Sequence, residues 1–200
     1  MMQKQKLLIA TTNDGKYKEI VHFLGDLPFQ LVSLKDLEQT ITPPEEAGDT
    51  FEGNALIKAK YYAEQTGMMA LADDCGLCIA VLGGWPGVMS GRIADKDEDR
   101  VNAVLKKMKK QKNQSATFKT VLTVFDPEQK NFFSAYGELK GKIVEKPVKK
   151  SNSPWGFNTI FFVEKTQKTY SQMTIPEKNA VSHRGQALLK IKHYLQNQYC

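Results

Sequence analysis

The sequence contains few cysteines, few histidines and no long apolar run, and these shortages exclude several classes of protein. Three of its 200 residues are cysteine and three are histidine. Three cysteines cannot all pair within one chain, so we expect a reduced compartment and place the protein in the cytoplasm. The apolar run at residues 160–163 is far shorter than the roughly 20 residues of a membrane span, and residues 1–5 hold no apolar signal-peptide core. We therefore expect no membrane partner.

The remaining composition is that of an ordinary globular protein. Hydrophobic residues make up 41% of the sequence and charged residues 25%. A chain of this length can bury roughly 70% of the surface that it exposes when unfolded, so its core needs no disulfide or structural metal. We expect residues 1–200 to form a single domain of one body or two small lobes, without a separable linker.

The net charge of +6 is distributed unevenly along the chain. Residues 1–100 carry −6 and residues 101–200 carry +12. Five lysines lie together at the end of a predicted helix, where positive charge complements the helix dipole. They are Lys106, Lys107, Lys109, Lys110 and Lys112. We interpret them as a solvated helix end and expect no nucleic-acid partner; a non-catalytic nucleic-acid-binding protein is the alternative, which steeply salt-dependent binding would support.

Strand-like and helix-like segments alternate along the chain, which predicts an α/β fold with a mixed sheet. We expect strands at residues 6–10, 68–72, 77–82, 118–125, 132–139 and 159–163. We expect helices at residues 17–24, 49–66 and 101–108, and a last helix that Ser182 caps. Asp49, with Glu52 three residues later, predicts the start of the second helix, and Gly67 predicts its end.

A polar turn joins the first predicted strand to the first predicted helix. It contains Thr11, Thr12, Asn13 and Lys16. Unpaired backbone N–H groups and the dipole at a helix N-terminus both attract anions, so the turn predicts an anion site. A purely structural helix cap is the alternative, and the spacing is not that of a Walker P-loop.

Two pairs of adjacent carboxylates point to a metal site. Asp73 and Asp74 follow a predicted strand, and Glu45 and Glu46 lie in a proline-containing loop. Adjacent carboxylates repel unless a cation or hydrogen-bond donors hold them, and hard oxygen ligands suit Mg²⁺. An exposed acidic turn is the alternative interpretation.

Cys75 and Cys78 have the spacing of a redox or zinc motif, but the predicted structure disfavours both uses. Three steps along a strand separate Cα atoms by ~10 Å and place the side chains on opposite faces. A disulfide needs Cα atoms within about 7 Å. We expect neither a disulfide nor a zinc site here.

Two segments of the C-terminal half combine groups that suit a nucleobase. An aromatic segment could stack on a base and read its edge, or belong to the core. It consists of Trp155, Gly156, Phe157 and Asn158. A second segment collects hydrogen-bond donors near a helix start, where cations oppose the dipole unless a partner compensates them. It contains Lys178, Ser182, His183 and Arg184.

Six motifs in a fixed order span nearly the whole chain. They are ATTNDGK at 10–16, EEAGDTFEGNALIKA at 45–59, ADDCGL at 72–77, GGWPGVMSGRIA at 83–94, WGFN at 155–158 and EKNAVSHRGQAL at 177–188. In this order and spacing the chain resembles the inosine triphosphate pyrophosphatase family, the Ham1/RdgB-like diphosphatases of non-canonical purine nucleoside triphosphates.

The resemblance implies a fold and an activity. The fold would be a two-lobed protomer around an elongated mixed β-sheet flanked by helices, with a nucleotide cleft between the lobes. The activity would be Mg²⁺-dependent hydrolysis of ITP, dITP and XTP to the monophosphate and pyrophosphate by a homodimer. A Maf-like nucleotide pyrophosphatase is the related alternative, but its Ser-Pro-Arg-Arg-like opening differs from the turn with Asn13 and Lys16.

The resemblance also implies roles for the residues noted above. Asp74 would accept the proton of the attacking water, while Lys16 and Lys58 would hold phosphates. The Mg²⁺ ligands would come from Glu45, Glu46, Asp73 and Asp74. The substrate-binding residues would be Thr11, Thr12, Asn13, Lys16, Cys75, Trp155, Gly156, Phe157, Asn158, Lys178, Ser182, His183 and Arg184. Lys178, His183 and Arg184 would donate to the 6-keto group that adenine lacks.

The chain departs from the family pattern in two places. Cys75 stands where the family usually has Ser, and a thiol is a weaker donor than a hydroxyl. The usual Phe-Gly-Tyr-Asp-Pro is replaced by residues 155–159, in which Asn158 has lost a charge and gained two donors. We expect these changes to affect base preference more than hydrolysis. Arg92 keeps the arginine of the usual Ser-Ala-Arg and is expected to support the site.

Overall fold

A computed structural model describes residues 4–148 and 156–200 of the chain. The strands are β1 (Lys6–Ile9), β2 (Gln30–Ser33), β3 (Met69–Ile79), β4 (Ser115–Asp126), β5 (Asn131–Ile143), β6 (Phe161–Val163) and β7 (Lys168–Thr169). The α-helices are α1 (Asp14–Leu24), α2 (Phe51–Thr66), α3 (Asp97–Met108), α4 (Ile175–Val181) and α5 (His183–Tyr199). Short 3₁₀ turns occupy Leu34–Asp36, Ala80–Leu82, Gly87–Met89 and Phe157–Thr159.

The seven strands form one mixed sheet in the order β2-β1-β3-β4-β5-β6-β7. Strand β1 pairs in parallel with both β2 and β3, whereas β6 pairs antiparallel with β5 and β7. The predicted α/β class with a mixed sheet is therefore confirmed.

The chain divides into two compact units. The first unit comprises Met1–Asp74, Thr120–Gly137 and Arg184–Cys200, and the second comprises Cys75–Lys119 and Glu138–His183. Strands β3, β4 and β5 each contribute residues to both units.

The first unit packs helices on both faces of its strands. Because side chains alternate along a strand, Leu7 and Leu8 of β1 enter different cores. Leu7 packs in a cluster that contains α1 and α5 residues, and Leu8 packs in one that contains Ala59 and Ala63 of α2. The buried parallel strands are apolar on both faces, as helix-covered parallel sheets require.

The second unit has its own apolar core. Strand, helix and 3₁₀ segments from both of its chain stretches contribute to it. Its buried members include Leu77, Ile79, Val101, Val104, Leu139, Ile143, Ile160, Phe161 and Val181. The stripe of Val101, Val104 and Met108 on α3 is buried as its helical spacing predicts.

Some predicted strand boundaries are wrong, and three elements were missed. Residues 68–72 and 77–82 are not two strands around a polar turn, because β3 runs without a break from Met69 to Ile79. The predicted strand at 159–163 begins only at Phe161, since Thr159 belongs to a 3₁₀ turn. Strands β2 and β7 and helix α4 lay outside the predicted elements.

Asp49 does not cap the second helix as predicted; its neighbour Thr50 does. The Thr50 hydroxyl accepts a hydrogen bond from the backbone N–H of Gly53 at 3.0 Å, which satisfies one of the first-turn donors. Gly67 ends α2 as expected, in the left-handed conformation at φ 67° that glycine adopts without strain.

Two further expectations concern membranes and cysteines. None of the helices in the two described stretches has both the length and the apolarity to cross a membrane. Cys75 and Cys78 both lie in β3, and none of the three cysteines, all within the described residues, forms a disulfide. The argument from strand geometry against a Cys75–Cys78 disulfide is thus confirmed.

Candidate active site

Asp73 lies in the middle of β3 and is held by two cations of the first unit. Its Oδ2 atom lies 2.9 Å from Lys16 Nζ of α1 and 3.5 Å from Arg184 Nε of α5. The side chain is only 2% exposed. A buried carboxylate is costly unless it is paired, and here two positive charges compensate it, which is why an aspartate can occupy a buried strand.

Asp74, the next residue, contacts a different set of groups. Its Oδ2 atom accepts a hydrogen bond from Asn54 Nδ2 at 3.1 Å, and its Oδ1 atom lies 3.6 Å from Lys58 Nζ. Asn54 and Lys58 are one turn apart on α2 and therefore lie on the same face of this helix. Neighbouring strand residues point to opposite faces, and each aspartate therefore meets its own helices.

The two environments move the carboxyl pKa values in opposite directions. Burial alone would raise the pKa of Asp73, but the charges of Lys16, Arg184 and Lys58 outweigh it and hold this pKa well below its usual range. Burial raises the pKa of Asp74 above its ordinary value, and Lys58 and Asn54 offset this effect only in part. Asp73 is therefore a permanently ionised group, whereas Asp74 is the better proton acceptor.

Glu46 joins this cluster through Lys58. Its Oε1 atom lies 2.9 Å from Lys58 Nζ, so one ammonium contacts both Glu46 and Asp74. Glu45 is exposed, and the structure shows no contact that brings it to the cluster. Of the predicted glutamate pair, Glu46 is the member that the fold brings to the aspartates.

The Asn54 side chain connects the loop that contains Glu46 to the first turn of α2. Its side chain is completely buried, and its Oδ1 atom accepts a hydrogen bond from the backbone N–H of Gly48 at 2.8 Å. A Cβ atom on Gly48 would lie 2.7 Å from that same Oδ1 atom, so the close approach of loop and helix requires glycine. Neither Gly48 nor Asn54 was among the predicted site residues, although both lie within a motif of the sequence.

The polar turn before α1 differs from its prediction in one respect. Asn13 caps the helix, and its Oδ1 atom accepts hydrogen bonds from the N–H groups of Gly15 and Lys16 at 2.9 and 3.1 Å. These two backbone donors are therefore satisfied by the protein itself. Thr11 in turn accepts a hydrogen bond from the Asn13 N–H, and Thr12 is exposed.

Arg184 belongs to the first unit, beside the carboxylate cluster. Its Nη1 atom lies 2.7 Å from Glu19 Oε2 of α1, in addition to the contact with Asp73. Glu19 lies one turn after Lys16, so α1 supplies one positive and one negative partner to this network. Glu19 was not a predicted site residue, because its partner lies 165 positions away in the sequence.

The other predicted base-reading residues belong to the second unit. Lys178 Nζ lies 5.3 Å from the ring centroid of Tyr170. The His183 ring, 7% exposed, stacks on Phe118 with a centroid distance of 5.3 Å and an interplanar angle of 16°. Ser182 is buried directly before α5.

The aromatic segment is only partly described. Trp155 lies outside the described residues, and Gly156 accepts hydrogen bonds from the N–H and hydroxyl of Thr159 at 3.0 and 2.8 Å. Phe157 packs against the core of the second unit. The backbone carbonyl of Asn158 accepts from the Ser171 N–H at 3.0 Å, which fixes the turn.

Cys75 and Arg92 are the remaining predicted residues, and both belong to the second unit. Cys75 is half-buried on β3 directly after Asp74. Arg92 is exposed, and its Nη2 atom donates to the Val88 carbonyl at 3.0 Å. The described contacts of Arg92 therefore support the loop that contains it.

The described residues hold no complete metal-binding cluster. Across residues 4–148 and 156–200, no group of three or more His, Cys, Asp or Glu side chains is arranged to hold a metal by itself. A site that binds Mg²⁺ through one or two carboxylates and completes its ligands with substrate phosphates and water needs no such group.

Comparison with known proteins gives consistent matches along the chain. The Ham1 family model matches residues 7–194. A dITP/XTP pyrophosphatase of Thermoanaerobacter sp. (strain X514) is 37% identical over 197 residues, which cover 95% of this chain and 96% of that protein. A dITP/XTP pyrophosphatase of Geobacter sulfurreducens is 38% identical over 195 residues, with coverages of 95% and 96%. The solved structure of a HAM1 protein from Coxiella burnetii has a TM-score of 0.86 at 34% identity and covers 96% of this chain and 99% of its own.

Proposed function

Because this chain belongs to the Ham1 family, we propose that it hydrolyses dITP, XTP and ITP to the nucleoside monophosphate and pyrophosphate. The observation that carries the proposal is the pair of adjacent carboxylates, Asp73 and Asp74, whose pKa values the surrounding residues move in opposite directions. Such a division is typical of sites that need one permanent anion and one proton acceptor.

In this proposal the triphosphate binds to the cations of the first unit. Lys16 and Lys58 each contact a carboxylate and keep part of their side chains exposed, at 25% and 14%. Their charges are therefore accessible to a polyanion and are held in place before it binds. Thr11, Thr12 and Asn13 add polar side chains beside Lys16, while the capped N–H groups of Gly15 and Lys16 serve the helix.

The carboxylates fit a magnesium ion. Glu46 and Asp73 are the residues that we propose as ligands: Asp73 is ionised at any working pH, and Glu46 is the glutamate that contacts the cluster. Both offer the hard oxygen atoms that Mg²⁺ prefers. When bound, the ion neutralises charge on the phosphates and stabilises the charge that develops during hydrolysis.

Asp74 is the proposed general base. It orients a water molecule and accepts its proton while the bond between the α- and β-phosphoryl groups breaks and pyrophosphate leaves. Its raised pKa makes it a stronger base than an ordinary aspartate, and the hydrogen bond from Asn54 fixes the orientation of its carboxyl group. Lys58 stabilises the charge that accumulates on the phosphates.

Base selection is assigned to donors that match a 6-keto group. Lys178 and His183 have defined orientations in the second unit, and Ser182 and Arg184 flank His183 in the sequence. Adenine presents an amino donor at the same position, so it would leave a buried donor unpaired, which costs about 1–3 kcal/mol per group. Residues 155–158 are proposed to contact the base, and Asn158, which departs from the family pattern, is the residue proposed to alter the preference among bases.

Three broader features are part of the proposal. We propose that residues 1–200 act as one nucleotide diphosphatase domain, since β3, β4 and β5 each contribute to both units. A homodimer and a cytoplasmic location are proposed from the family resemblance and the cysteine content. Light scattering of the purified protein measures the first, and fractionation of cells that express it tests the second.

The decisive experiment is a hydrolysis panel with Mg²⁺. We expect pyrophosphate release from dITP, XTP and ITP at rates far above those for dATP and dGTP. The Asp74→Asn variant should lose hydrolysis yet bind a non-hydrolysable dITP analogue in the presence of Mg²⁺. Comparable rates on the standard nucleotides, or release of single phosphates instead of pyrophosphate, would refute the proposal.

A further inference from the structure

Tyr170, which follows β7, contacts two of the residues assigned above to base selection. Its ring centroid lies 5.3 Å from Lys178 Nζ and 6.2 Å from the centroid of the His183 ring. The same ring lies 6.0 Å from Phe118, on which His183 stacks. One aromatic side chain therefore joins the ammonium and the imidazole within the second unit.

The contact with Tyr170 helps to order the long Lys178 side chain. A lysine side chain has four rotatable bonds, and ordering it costs up to about 2 kcal/mol of conformational entropy. Holding the ammonium against an aromatic ring offsets part of this cost before any ligand binds, because the ring quadrupole attracts the cation. The half-buried position of both side chains strengthens the attraction relative to one in full solvent.

A second contact between the same two segments has no such role. Lys168 Nζ of β7 lies 2.5 Å from Glu177 Oε1 of α4, and the two side chains are partly exposed, at 42% and 32%. Lys168 and Tyr170 are two residues apart, and their partners Glu177 and Lys178 are adjacent. The ion pair thus joins α4 to β7 through side chains other than those of Tyr170 and Lys178, and it provides a matched control.

We propose that Tyr170 is a positioning residue for base recognition, which holds the Lys178 ammonium against its ring face and packs beside the His183 ring. The proposal rests on the proposed function, because it concerns the residues assigned there to the 6-keto group. Tyr170 acts through Lys178 and His183. Its loss should reduce discrimination between bases and leave the hydrolytic groups of the first unit intact.

The test measures kcat/KM for dITP and dATP in five variants, one of which combines two substitutions. Tyr170→Leu removes the ring and should lower the dITP-over-dATP ratio by roughly 3- to 30-fold, the range expected for a partly buried cation–π contact. Tyr170→Phe keeps the ring and should keep the ratio. Lys168→Met removes the neighbouring ion pair and should lower thermal stability slightly while the ratio stays unchanged. In a Lys178→Met background, Tyr170→Leu should have little further effect on the ratio.

Two results would overturn this inference. One is an equal loss of kcat/KM on dITP and dATP in Tyr170→Leu, as expected of a purely structural residue. The other is a fall in the dITP-over-dATP ratio that is equally large when Tyr170→Leu is introduced into the wild type and into Lys178→Met. Should Tyr170→Leu not fold, a fluorinated phenylalanine at position 170 preserves size while weakening the ring's attraction for a cation. The ratio should then fall with increasing fluorination, and a constant ratio would contradict the proposal.

Binding of monophosphates separates this inference from the proposed function. The affinity for IMP relative to AMP, measured by calorimetry, depends on base recognition but not on hydrolysis. If the wild-type chain hydrolyses no triphosphate but Tyr170→Leu still reduces its preference for IMP, the proposed function fails and the positioning role holds. If hydrolysis occurs and the preference for IMP is the same in both proteins, the positioning role fails alone.

Discussion

Asparagine substitutions at the two adjacent aspartates should have unequal effects on stability, with a large loss at Asp73 and little or no loss at Asp74. Asp73→Asn removes a negative charge that contacts both Lys16 and Arg184, and it does so where the aspartate side chain is 2% exposed. Breaking a buried ion pair by neutralising one partner leaves uncompensated charge in a poorly solvated place. Asp74→Asn instead removes a charge that burial already disfavours, and it keeps an acceptor oxygen for Asn54.

The expected magnitudes follow from these contacts. For Asp73→Asn we expect the free energy of unfolding to fall by about 3 kcal/mol, the low end of the range for broken buried pairs, because Lys16 remains a quarter exposed. This is a large part of a total of roughly 5–15 kcal/mol. For Asp74→Asn we expect a change within about 1 kcal/mol, because the hydrogen bond persists and Lys58 keeps Glu46 at 2.9 Å.

Urea denaturation at pH 7 with a chelator present measures both changes without interference from a bound metal. The Asp73→Asn midpoint should lie about 1 M below that of the wild type, and the Asp74→Asn midpoint should be unchanged or higher. The folded-state pKa of Asp73 lies below its ordinary value of 3.8, so its contribution is present above that pH and is lost as the pH falls through the folded-state pKa. Equal destabilisation by both substitutions, or a greater loss for Asp74→Asn, would refute the assignment of their environments.

Three further substitutions test the elements that surround the site. Gly48→Ala places a Cβ atom 2.7 Å from Asn54 Oδ1, so the rate of hydrolysis should fall and the free energy of unfolding should decrease by about 1–3 kcal/mol. An active variant of unchanged stability would contradict the close approach of Gly48 to Asn54. Ser90→Ala removes a buried hydroxyl that accepts from the Leu77 N–H at 2.9 Å, and should cost about 1–3 kcal/mol in thermal or urea unfolding. The hydrogen bond with Lys168 lowers the pKa of Glu177 from 4.5 to about 2, so the contribution of Glu177 to the free energy of unfolding should be present above pH 4.5 and disappear between pH 4.5 and about pH 2. Glu177→Gln should lose this pH dependence of stability. An unchanged pH profile of stability would contradict the pairing with Lys168.

The sequence predicts regular elements well where apolar periodicity is strong. The α3 stripe and the β1 run are buried as expected, since their spacing reports directly which face meets the core. Helix α4 was missed because its seven residues give too short a pattern. The sequence nevertheless contains a recognisable start signal for this helix, because Thr174 and Glu177 form a capping box and Pro176 lies in the first turn.

The interruption predicted within β3 is the more instructive error. Two aspartates with a glycine two residues after them are typical of a turn, and partners distant in sequence make a strand possible there. Lys16 and Arg184 compensate Asp73, while Asn54 and Lys58 hold Asp74. Local sequence contains no sign of these partners, and for the same reason it gave no indication of Glu19.

The unbroken course of β3 explains how adjacent residues of the same type come to do different chemistry. In a turn both carboxyl groups could lie on one side, where repulsion between their negative charges would raise the pKa of one of them. On a strand, alternation sends Asp73 towards Lys16 of α1 and Arg184 of α5, and Asp74 towards α2, so each carboxylate has its own nearest partners, although Lys58 lowers the pKa of both. A slip of β3 by one residue would turn each carboxylate to the opposite face of the sheet, away from its present partners. The apolar residues on both sides of β3 oppose such a slip: Leu71 and Ala72 belong to different cores, and exchanging them would force the larger side chain into the space of the smaller. The packing that fixes the register of this strand therefore also decides which aspartate is the permanent anion and which can accept a proton.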